Sequence, residues 1–136
     1  MEEFLEDEVS VETEISGKLL LEKNKNIKKE KNRLRKIFTN MPKTKKAIVE
    51  KLIDNAAFMA VTLDELKEHI KKNGVKETYM NGAAQFGYKE SIESKTYNTM
   101  IKNYSNVIKQ LIDLLPKEEK EVAGEDLLKF IANPNV

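Results

Sequence analysis

The 136-residue chain has no cysteine, a single histidine and three prolines. Without cysteine there are no disulfides and no thiolate metal ligands. The lone His69 has no second imidazole or thiolate with which to build a zinc centre, so an exposed helical position among lysines is its expected role. No apolar run approaches the ~18 residues of a membrane-spanning helix. The N-terminal stretch MEEFLEDEVSVETE is acidic, whereas a secretory signal starts positive. Gly17-Lys18 lacks the upstream glycine and the following Ser or Thr of a phosphate-binding loop. Asp64, Glu65 and Glu68 crowd the start of a predicted helix, where carboxylates favour the dipole, and do not form an acid/base pair. The expectation is therefore an intracellular, non-membrane, non-enzymatic protein without cofactor or metal.

Charge is abundant but unevenly placed. Lys, Arg, Asp and Glu make up 35% of the chain, and the net charge is only +1. Residues 1–17 carry seven acids and no base, a net −7. Residues 18–51 carry thirteen bases against three acids, a net +10. Residues 52–136 carry eleven bases and thirteen acids, a net −2. An acidic arm, a basic segment and a mixed body point to a polyanionic partner or to a tail that shields the chain's own bases. The basic candidates for phosphate contact are Lys25, Lys28, Lys29, Lys31, Arg33, Arg35, Lys36, Lys43, Lys45 and Lys46. A solvated helix face is the plain alternative, but few acids lie close enough in the sequence to neutralise them.

Helical periodicity dominates the pattern. Residues 1–17 carry one sign of charge and no sustained repeat, and are expected to be a mostly disordered arm. A first helix is predicted over 18–38, with Leu20, Ile27, Leu34 and Phe38 on one face, and Met41-Pro42 breaks it. A second is predicted from Pro42 as its first residue to about Ala60. Thr62 and Glu65 form a capping box that predicts a third helix, ended by Gly74. Asn81-Gly82 predicts a type I′ turn between two short strands, which need packing support from the long helix that follows.

That long helix, with Ser91 or Ser94 as its N-cap and ending at Pro116, carries two adjacent apolar seams with heptad-like steps. Tyr97, Met100, Ile101, Tyr104, Val107, Ile108 and Leu111 are the candidates for an oligomer interface, since two seams can face two partners. Beyond a charged linker at 117–121, Leu127, Leu128, Phe130 and Ile131 form a short amphipathic segment suited to docking on a partner. The predicted architecture is all-α: a helical bundle at 18–116 with a long C-terminal oligomerisation helix and a small β-hairpin, flanked by an acidic arm and a flexible tail at 117–136.

Three blocks carry a resemblance. Tyr79-Met80-Asn81-Gly82-Ala83-Ala84-Gln85-Phe86-Gly87, then Tyr97-Asn98-Thr99-Met100-Ile101-Lys102-Asn103-Tyr104, then Leu111-Ile112-Asp113-Leu114-Leu115-Pro116 are similar to the small subunit of tailed-bacteriophage terminase. With Asn55–Leu63 upstream, the resemblance covers roughly Ile37–Pro116. It implies a helical, ring-forming homo-oligomer without catalytic residues or cofactor, working in the host cell cytoplasm. Its implied partners are double-stranded viral DNA and the terminase large subunit, which carries the ATPase and nuclease. Many such subunits place a helix-turn-helix at the N-terminus, and its spacing is not evident at Lys18–Ala60. The competing expectation is a helical regulatory adaptor whose basic segment docks an acidic protein.

Overall fold

The computed structural model describes residues 2–82, 85–116, 124–126, 128–129 and 132, and the backbone alone for 2–7. The chain forms helix α1 (Glu2–Ile37), a 3-10 turn (Lys43–Lys45), helix α2 (Lys46–Asn73), strands β1 (Lys76–Met80) and β2 (Phe86–Glu90), and helix α3 (Ile92–Asp113). The all-helical class with a small antiparallel hairpin is the one the sequence predicts.

Helix α2 is the axis on which the others lie. It runs antiparallel to α1 on one side and to α3 on the other. Its buried face is Val49, Ile53, Ala56, Ala57, Val61 and Leu63. Ala56 and Ala57 are fully buried, and their small side chains let both neighbouring helices approach. The core gathers Leu34 from α1 and Phe38 just after it, Val49, Ile53, Ala56 and Ala57 from α2, and Ile108, Leu111 and Leu115 at the end of α3. Each large side chain buried there contributes about 1.5–3 kcal/mol.

Four element boundaries differ from the sequence expectation. The first helix starts at Glu2 and runs through Gly17, so the acidic stretch is helical rather than disordered. Acids suit the positive end of a helix, and one interior glycine costs only about 1 kcal/mol relative to alanine. The predicted helix start at Thr62 does not exist, because α2 is continuous there. No proline or glycine interrupts Lys46–Asn73, and the buried stripe crosses Thr62 from Val61 to Leu63. The Thr62 hydroxyl is left buried without a hydrogen-bond partner. Pro42 caps the 3-10 turn rather than opening an α-helix, its carbonyl accepting from Lys45 N–H at 2.9 Å. The hairpin does not turn at Asn81-Gly82 alone. The register sets Met80 against Phe86, leaving residues 81–85 as the connection, in which Asn81 N–H donates to the Gln85 carbonyl at 3.0 Å. A type I′ turn needs positive φ at both central residues, and of this pair only Gly82 has it.

Two signals hold as predicted. Gly74, at φ 75°, closes α2 and donates to the Ile70 carbonyl at 2.7 Å. Ser91 caps α3, its side chain accepting from Ser94 N–H at 3.1 Å.

Candidate nucleic-acid interface

The ten basic candidates separate into two groups once α2 is placed beside α1. Lys31 pairs with Asp54. Arg35 grips Glu50 through Nε and Nη2, the latter at 2.9 Å, and also donates to Asn32 at 3.3 Å. Arg33 pairs with Glu30 at 3.5 Å. The Arg35 bond holds the Glu50 carboxyl below its usual range, and Arg35 itself is pushed up by the same bond. Lys23 adds a pair to Glu65 at 3.1 Å and lies 5.1 Å from the centroid of the Phe58 ring. The acids missing from the local sequence are thus supplied across the helix pair. Lys23, Lys31 and Arg35 join α1 to α2, whereas Arg33 pairs with Glu30 inside α1.

The second group is exposed. Lys25, Lys28, Lys29, Lys36, Lys43, Lys45 and Lys46 face solvent, without an acid within ion-pair distance among the described residues. With about 3.6 residues per turn, Lys25, Lys29 and Lys36 fall within roughly 40° of each other on α1. Lys18, outside the sequence-derived candidate set, falls on the same line, and Lys28 flanks it. The row faces away from buried Leu34 and half-buried Ile27, which look toward α2. From Lys18 to Lys36 it spans about 27 Å at 1.5 Å per residue. Lys43, Lys45 and Lys46 extend the positive surface around the 3-10 turn and into the first turn of α2, which has no acid.

The inner side of α1 has the opposite character. A groove of about 330 Å³ between α1 and α2 is lined by Asn26, Lys29, Glu30, Arg33, Val61, Asp64, Glu65 and Glu68. Glu30 sits at its deep end with a side chain 14% exposed. Burial raises its pKa, Arg33 opposes this and Asp64 reinforces it. Across the junction Tyr104 is pushed up to about 12 by burial, with Glu30 and Asp64 adding to the shift. Four carboxylates outnumber the two bases Lys29 and Arg33 in this lining, although Glu30, Glu65 and Glu68 are paired with Arg33, Lys23 and Lys71, so the groove is less positive than the outer lysine row. His69 lies 3.6 Å from Glu93 across the α2–α3 contact. Among the described residues, no group of His, Asp or Glu is placed to hold a metal ion.

The proposed oligomer residues are largely used within the subunit. Ile108 and Leu111 belong to the core, and Tyr104 and Val107 pack against it. Tyr97 and Met100 are half-buried, and Ile101 is 36% exposed. Members of both seams therefore pack within the subunit, and Ile101 is the most open of these candidates. The hairpin was expected to pack on the long helix, yet Met80, Phe86 and Tyr88 stand in solvent. Lys89 and Glu77 bridge its strands at 3.2 Å on the other face. Of the docking candidates, Leu128 is exposed, while Leu127, Phe130 and Ile131 lie outside the described residues.

Comparison with protein-family models, with curated proteins and with solved structures returns no match. No described helix is long and apolar enough to cross a membrane.

Proposed function

We propose that this chain is a non-catalytic DNA-binding component of a viral genome-packaging machine, acting as a terminase small subunit does. It binds duplex DNA through the outer face of α1, assembles with its own copies, and presents the DNA to a large subunit that docks on 127–131. The observation that supports this most is the lysine row of α1, without an acid partner among the described residues while neighbouring bases are tied to α2. Such a row gives phosphate affinity with little base readout.

The test is duplex-DNA affinity by fluorescence anisotropy over a range of salt. Four phosphates met by Lys25, Lys28, Lys29 and Lys36 give a slope of log affinity against log salt of about −3.6. Changing all four to Glu abolishes binding and leaves helicity intact. A flat salt response in the wild type refutes the reading. The same lysine row also suits the second reading, an adaptor for an acidic protein, and that reading stands if the chain ignores DNA at ~50 mM salt.

A further inference from the structure

The outer face of α1 carries more than lysines. Residues 8–22 are exposed throughout, including Leu19 at 62% and Leu21 at 71%. A helix that leaves leucines in water over several turns is short of a partner. The two halves of this helix are also electrostatic opposites. Residues 2–19 hold seven acids and one base, a net −6, while 20–37 hold eight bases and two acids, a net +6. The boundary between them falls between Leu19 and Leu20, at the midpoint of the 36-residue helix.

We infer that α1 pairs antiparallel with α1 of a second copy of this chain. A line of positions at alternating steps of three and four runs along the outer face, which is the periodicity of a helix–helix seam. It passes through Glu8, Val11 and Ile15, crosses Lys18 and Glu22 at the middle, and continues into the lysine row. Laid antiparallel and crossing at position 20, half a residue past the midpoint, residue n meets residue 40 − n of the other copy, so the line maps onto itself. Lys18 then faces Glu22 of the second copy, and Ile15 and Val11 lie under the aliphatic stems of its Lys25 and Lys29. Leu19 and Leu21 flank the crossing, where each meets its own counterpart and leaves water.

Charge selects the direction and the occupant. A parallel pair would set −6 against −6 and +6 against +6, whereas the antiparallel pair sets −6 against +6 twice. The chain's own tail is a poorer fit for the acidic half. Residues 117–136 carry three bases and five acids. The pairing covers Lys25, Lys29 and Lys36, so the second copy and DNA compete for one surface. That competition rests on the DNA reading above, but the pairing itself does not.

The experiment uses the full chain without DNA. Ile15→Cys and Lys25→Cys proteins are made separately, which is clean because the chain has no native cysteine. Mixed and oxidised, they give several-fold more disulfide-linked dimer than either alone, since a disulfide needs Cα atoms within about 7 Å. Equal linkage by either protein alone, or none in the mixture, overturns the antiparallel register. In parallel, sedimentation compares wild type with Glu8→Lys/Glu12→Lys/Glu14→Lys and with Lys25→Glu/Lys28→Glu/Lys29→Glu. Each reversal alone lowers the mass, and their equimolar mixture restores it, with helicity by circular dichroism unchanged. Masses unaffected by reversal, or not restored on mixing, overturn the pairing. Because DNA is absent, these outcomes are read separately from failure of the DNA reading.

Discussion

Leu111→Ala tests whether the long helix belongs first to its own subunit or to a neighbour. Leu111 is 0% exposed within one chain and sits in the cluster where α1, α2 and α3 meet. Removing three carbon groups loses about 0.8 kcal/mol each, roughly 2.4 kcal/mol in all. The residual cavity adds to this, bringing the total to about 3–4 kcal/mol, within the range of buried Leu→Ala changes. A domain of this size holds only about 5–15 kcal/mol of net stability. An unfolding entropy of about 2.1 cal/mol/K per residue converts the loss to a fall in Tm of roughly 10–14 °C. The assay is thermal and urea unfolding by circular dichroism at several protein concentrations. Ile101→Ala, at a position 36% exposed, is the companion, with an expected loss below about 1 kcal/mol. A loss under about 1 kcal/mol at Leu111 refutes the packing argument. So does a loss that vanishes on dilution, because it would place the contact between copies.

Three further outcomes follow from particular side chains. Thr62→Val removes a buried hydroxyl that has no partner and should raise stability by about 1 kcal/mol in urea unfolding. Glu30 has its carboxyl pKa raised from 4.5 by burial, so the folded state holds this proton more tightly than the unfolded one. Stability from this group is therefore lost as pH rises from 4.5 through the raised value, and Glu30→Gln should flatten that loss in melts taken between acid and neutral pH. Arg35→Gln breaks an exposed bridge to Glu50, and anisotropy should show DNA affinity close to wild type, in contrast to the lysine-row variant.

The helical class, the caps at Gly74 and Ser91 and the end of α3 near Pro116 were legible because each is set by local chemistry. Thr62 misled because a capping box is also local, and a continuous apolar stripe overrides it. The bases of α1 were the hardest part. Lys31 and Arg35 are four residues apart, as are Glu50 and Asp54, and those matched spacings are a cross-helix ladder. Sequence shows each spacing but not that the two helices run antiparallel at that register. The exposed hairpin face was misread for a related reason, since apolar alternation marks a face without naming what covers it.

Because α1 and α3 each lie along α2, the main helix contacts join helices that follow one another in the chain, with only the hairpin between α2 and α3. Such a topology favours folding in microseconds to milliseconds. It also sets an order during synthesis. The α1–α2 pair can close while α3 is still in the ribosome, but Ile53, Ala56 and Ala57 lack one wall of their core until Ile108, Leu111 and Leu115 arrive. A chain arrested before α3 would expose that apolar face of α2, and early termination there should yield an aggregation-prone product rather than a smaller working domain.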